Sequence, residues 1–130
     1  VMVEGDKILF AGDVVMPVPY IVWGDREQFI ASLKFVQELK PENIIQGHGD
    51  ILLRGELRQD IESSISYLNA IYERVKRLVD NNAPESKLAN IDIESCGKSR
   101  IPLDGLVRQL HQANLVYLYR NLKAEKRRSQ

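Results

Sequence analysis

A single cysteine, Cys96, stands in the whole chain of 130 residues. A lone thiol excludes an internal disulfide and a thiolate cluster, and it fits a reducing compartment. Apolar runs as long as a membrane span or a signal-peptide core are missing, so the chain reads as soluble and cytoplasmic. Charge of one sign is also missing: 18 Lys plus Arg balance 18 Asp plus Glu. No global field therefore draws the molecule to nucleic acid or to an anionic membrane. Internal repeats and low-complexity tracts are absent too. What remains is ordinary globular composition, 44% hydrophobic and 28% charged, in a length that suits one domain over residues 1–130. The chain opens at Val1, directly in a strand-like run, which reads as a piece of a longer protein.

Periodicity divides that length into a motif-bearing part, 1–55, and a helical part, 56–130. Residues 1–15 read as a hairpin, VMV and ILFAGDVV, around the turn residues Glu4, Gly5, Asp6 and Lys7. MPVPYIVWG, residues 16–24, holds two prolines that lack a donor for any ladder, so it is expected as an extended loop. Asp25 then caps a helix, with Gln28 three places on, and Phe29, Leu33, Val36 and Leu39 follow at helical spacing until Pro41. A short strand over 43–46 leads into Gly47-His48-Gly49. Leu57, Ile61, Ile65, Leu68, Tyr72, Val75 and Val79 form one apolar stripe, ended by Asn81 and Asn82. Residues 83–104 read as a polar connector. Leu103, Leu106, Leu110, Ala113 and Tyr117 begin a last helix. The expected class is α/β with the order β-β-α-β-α-α.

Two strands in this order end on side chains with chemistry. ILFAGD runs through Gly12 into Asp13, and NIIQGHGD runs through Gly47 into His48. A carboxylate in that place can ligate a metal, act as a base or cap a turn. Glycines on both sides of a histidine leave the ring unshielded and free to face a site. The helix between the two strands predicts a βαβ crossover, which makes them parallel and brings both ends to one rim. Around this pair, Asp50 is expected as a cap or a partner orienting the histidine ring, and Tyr20 and Trp23 as pocket or loop-packing residues. His111 reads as a surface or partly buried hydrogen-bonding histidine, and Cys96 as an inert thiol. Lys123, Lys126, Arg127 and Arg128 complement the carboxyl terminus of their own helix.

ILFAGD, the helix REQFIASLKFVQELKP and NIIQGHGD together resemble the carboxyl-terminal half of the metallo-β-lactamase superfamily. The resemblance covers residues 1 to about 55. It implies half of a four-layer α/β/β/α sandwich and a dinuclear zinc site in which Asp13 bridges the metals and His48 ligates the second. It also implies a hydrolase whose metal-bound hydroxide attacks an ester, thioester, lactam or phosphodiester in a small-molecule substrate, with Tyr20 and Trp23 at the substrate. The family's His-x-His-x-Asp-His motif is not in this chain, so the chain alone is expected to be inactive. Its partner would be the amino-terminal half of the fold. A rival expectation is a non-catalytic interaction domain whose uncovered sheet pairs with a second copy, a homodimer. An RNA-processing nuclease of the same fold has only the basic tail behind it, against a neutral net charge.

Overall fold

The computed structural model describes residues 1–130 as a four-stranded mixed sheet with helices packed on it. Strands β1 (Met2–Val3), β2 (Ile8–Gly12), β3 (Asn43–Gln46) and β4 (Leu52–Leu53) lie side by side in sequence order. Helix α1 (Arg26–Glu38) joins β2 to β3; α2 (Arg54–Asp80) follows β4; α3 (Leu106–Arg128) ends the chain. The hairpin turn falls on residues 4–7, as the turn chemistry predicts. β2 and β3 pair in parallel, with Leu9 opposite Ile44 and Phe10 opposite Ile45, which is the crossover expected from the intervening helix. The order differs from expectation by one strand. Leu52 and Leu53 form β4, antiparallel to β3, where the sequence had suggested a direct run into the helix. Two residues are too short a run to show a period of two, so no pattern marked them.

Opposed residues in a ladder share a face. Met2, Leu9, Ile44 and Leu52 therefore point to one side, and Leu9 and Ile44 are buried there with Leu33 and Val36 of α1 and Leu57 and Ile61 of α2. Val3, Ile8, Phe10, Ile45 and Leu53 point to the other side. No helix covers them: Val3, Phe10 and Leu53 are 42%, 48% and 58% exposed. α1 starts as predicted, with Asp25 Oδ1 accepting from Gln28 N at 2.8 Å, a cap that contributes about 1 kcal/mol. None of the helices is long and apolar enough to cross a membrane.

The helical part departs from the expected pattern in three places. First, 83–104 is not a polar connector. It folds into three short 3₁₀ turns, Glu85–Asn90, Glu94–Cys96 and Leu103–Gly105, and it buries Leu88, Ile91, Ile93 and Cys96 in the core. Lys98 is buried as well, its Nζ donating to Ser63 Oγ at 2.8 Å and lying 3.8 Å from Asp60 Oδ1. Burial pushes the Lys98 ammonium down and the Asp60 carboxyl up. Second, the inward face of α3 is Val107, His111, Asn114, Leu115, Leu118 and Tyr119, rotated from the apolar stripe, and Leu106 is exposed. On α2 the stripe is correct at Leu57, Ile61, Leu68, Val75 and Val79, but the fully enclosed Tyr67 and Ile71 lie outside it. Third, Lys126 serves the neighbouring helix end: its Nζ donates to Val79 O, Asp80 O and Asn82 Oδ1 at 3.0, 3.1 and 2.8 Å. Cation and carbonyl dipoles thus meet at the end of α2 across the helix pair.

Between α2 and α3 lies a buried polar network. His111 Nε2 donates to Ile91 O at 2.8 Å, which leaves Nδ1 to accept from Tyr67 OH at 2.8 Å. Tyr67 in turn accepts from Asn114 Nδ2 at 3.2 Å. The arrangement holds His111 neutral, and burial pushes its pKa below the ordinary value. A buried neutral histidine binds fewer protons than the unfolded chain does as pH falls through the ordinary histidine range. Its contribution to stability is complete above about pH 6.5 and is lost progressively below it, down to the lowered folded value. Unfolding free energies from urea titrations between pH 7.5 and 5 should therefore decline, by no more than about 1.4 kcal/mol per pH unit from this group. His111→Gln, which keeps a donor for Ile91 O, should flatten that decline; an unchanged slope would remove His111 as its source.

Candidate functional site

At the carboxyl end of β2 the ladder slips by one residue between Phe10 and Gly12. Gly12 takes a left-handed φ of +56°, a conformation that suits glycine. The slip turns Asp13 out of the sheet. One strand away, Gly47 N donates to Gly12 O at 2.8 Å and ties the histidine turn to the end of β2. Gln46 Nε2 donates to Asp50 O and closes that turn. Gly47 has to be glycine: a Cβ there would stand 2.5 Å from Asp13 Oδ1 and 2.9 Å from Gly12 C. At Gly49, φ is +109°, and a Cβ would stand 2.9 Å from Pro17 Cγ.

These constraints bring Asp13 and His48 together, 35 residues apart in sequence. Asp13 Oδ1 lies 3.1 Å from His48 Nδ1. A carboxylate only accepts, so Nδ1 carries the proton and donates; in the neutral ring Nε2 then keeps its lone pair for another partner. The second carboxylate oxygen of Asp13 is likewise left out of this contact. Both side chains are open to solvent, 72% for Asp13 and 59% for His48. The pair offers one nitrogen and one oxygen donor, the types zinc takes, but zinc sites use three or four protein ligands. No cluster of three or more His, Cys, Asp or Glu side chains occurs. The donors fit one side of a metal site and do not complete it.

The other residues singled out by sequence lie elsewhere. Tyr20 is exposed on the loop after Asp13, between buried Pro19 and Ile21. Trp23 is 90% exposed, with φ +68°, and its ring lies 6.3 Å from that of Tyr117 on α3. Neither makes a hydrogen bond to Asp13 or His48. Asp50 precedes β4 and caps no helix; the first turn of α2 is closed by Glu56 Oε2, which accepts from Leu53 N at 3.2 Å. Cys96 is buried and its thiol is pushed up by burial, which disfavours the reactive thiolate. His111 belongs to the internal network, away from solvent. Tyr67 and Asn114, buried partners in that network, lie outside the apolar stripes of their helices. The available signal was the i, i+3 pair His111 and Asn114 on one helix face.

Fold and pair together define an α/β unit with a two-donor rim at the ends of adjacent parallel strands. A comparison of the sequence with protein-family models finds no match, and neither does a comparison with curated proteins.

Proposed function

We propose that this chain is the carboxyl-terminal portion of a metallo-β-lactamase-type hydrolase domain and contributes two ligands, Asp13 and His48, to its metal site. The observation that carries the reading is the 3.1 Å contact of these side chains at the ends of parallel β2 and β3. His48 would bind through Nε2, since Nδ1 is committed to Asp13; Asp13 would bind through the oxygen that His48 leaves free and hold the ring in the required tautomer. Zinc in such sites supplies Lewis acidity and an activated water for hydrolysis. The remaining ligands come from outside these 130 residues, and the bare side of the sheet, Val3, Phe10 and Leu53, is where the other half of a sandwich would lie. Tyr20, on the loop after Asp13, would face substrate, and Trp23 would line the outer part of the same loop.

The same bare sheet side favours a second reading, an interaction domain that pairs with another copy of itself. One experiment separates the two. Zinc is measured by elemental analysis after loading and exhaustive buffer exchange, in the 130-residue chain and in the domain extended by its amino-terminal half, each with and without His48→Ala. The first reading expects retention only in the extended domain, lost on His48→Ala. Retention near one ion per 130-residue chain, also lost in the variant, would mean that a second copy completes the site. Unchanged zinc content in the extended variant sinks the assignment of His48.

A further inference from the structure

The loop that leaves Asp13 is buried as few loops are. Val15, Met16, Val18, Pro19 and Ile21 all lie inside, and Tyr20 alone in the stretch 18–21 is exposed. A buried loop must satisfy its backbone polar groups without water. Two of them are satisfied by one side chain from the far end of the sequence. Asn114 Nδ2 donates to Pro19 O at 2.7 Å, and Asn114 Oδ1 accepts from Ile21 N at 2.9 Å. Those two bonds grip the backbone on either side of Tyr20.

The grip is oriented from below. Asn114 is fully buried, and its Nδ2 also reaches Tyr67 OH, which His111 and Ile91 O hold in line. With Nδ2 committed to two acceptors, the amide cannot flip without abandoning both. A polar residue on the inward face of a helix destabilises unless it is hydrogen-bonded, and here the amide oxygen and both amide hydrogens have partners. At its other end the loop presses on the histidine turn: the Pro17 ring occupies the space where a Gly49 side chain would start. Gly49 is bonded directly to His48.

We infer that Asn114 is a positioning residue for the Asp13–His48 pair: it clamps the loop so that Pro17 backs the turn that carries His48. The inference rests on the ligand reading of the pair for its functional meaning, and its test involves no metal. The loop is then a fixed wall of the site, and α3 is what fixes it. A helix placed last in the sequence acts on the two motifs placed first.

The test is heteronuclear NMR on the 130-residue chain, comparing the parent with Asn114→Ala, Tyr67→Phe and Pro17→Ala. Signals to follow are the nuclear Overhauser contact between Pro17 and Gly49, the amide shifts of His48 and Gly49, and hydrogen exchange at Ile21. Asn114→Ala is expected to weaken the Pro17–Gly49 contact, shift both amides and speed exchange at Ile21 about tenfold or more, the effect of losing one buried hydrogen bond. Tyr67→Phe removes the bond that orients the amide but leaves Pro19 and Ile21 held, so it should lower Tm and move these signals much less than Asn114→Ala does. Pro17→Ala is half-buried and outside the core; it should shift the His48 and Gly49 amides alone. It carries the test should the Asn114 variant fail to fold. Unmoved signals in a folded Asn114→Ala, equal movement in Tyr67→Phe, or silent amides in Pro17→Ala would each overturn the inference. Failure of zinc binding would leave all of these signals in place, so the two proposals fail separately.

Discussion

Alanine at position 88 lowers the unfolding free energy by about 2 to 5 kcal/mol, the range for deleting a buried leucine side chain. Leu88 is fully enclosed, in the first of the 3₁₀ turns between α2 and α3. Its surroundings are held from both sides. Tyr119 OH of α3 donates to Ala83 O at 2.7 Å, and Ile91, three residues on, presents its carbonyl to His111. The cavity left by the missing methyl groups therefore has little freedom to close, which favours the upper part of the range. Since whole-domain stabilities lie between about 5 and 15 kcal/mol, such a loss removes a large fraction. Urea unfolding followed by circular dichroism measures it; a loss below about 0.5 kcal/mol would place the segment outside the cooperative core.

Gly47→Ala separates Asp13 from His48. The added methyl group meets the Asp13 carboxylate at 2.5 Å and the backbone of Gly12 at 2.9 and 3.0 Å, distances at which something has to move. The carboxylate is the softer obstacle, since the Gly12 backbone is pinned by the bond from Gly47 N. Its displacement breaks the 3.1 Å contact and frees the imidazole to rotate. On the proposed ligand reading, loss of such an orienting partner would weaken metal binding by roughly 10- to 100-fold; independently of it, the backbone strain costs about 1 to 3 kcal/mol. A zinc competition titration of the proposed domain, with its amino-terminal half, would read the first effect, and thermal unfolding of the 130-residue chain reads the second. Wild-type zinc affinity in Gly47→Ala would mean that the Asp13–His48 contact does not serve metal binding.

The sequence was most informative where one residue type has one structural use. Glycine before Asp13 and on both sides of His48, aspartate at the start of α1, and the helix between two short apolar strands each restrict the backbone locally. The hairpin, the crossover and the meeting of Asp13 with His48 follow from them. Periodicity was less reliable where polar residues point inward. On α3 the apolar stripe through Leu106, Leu110 and Tyr117 is displaced from the buried face because His111 and Asn114 sit on that face. Their burial depends on partners 20 to 95 residues away, which no local pattern shows. The same holds for 83–104. Its buried residues are spaced irregularly: the first two 3₁₀ turns bury one side chain each, Leu88 and Cys96, the third buries none, and Ile91 and Ile93 lie between turns, so neither period registers. β4 was hidden by shortness alone.

Trp23 is the one tryptophan of the chain, and it stands in water on the loop that follows Asp13, not in the core. The molecule's tryptophan fluorescence is thus only weakly coupled to its folding. An indole already solvated in the native state has little further environment to lose on unfolding, so the emission is a poor stability probe. Its use lies on the other side: any molecule that settles over that loop takes the indole out of water. The protein carries a built-in reporter for occupancy.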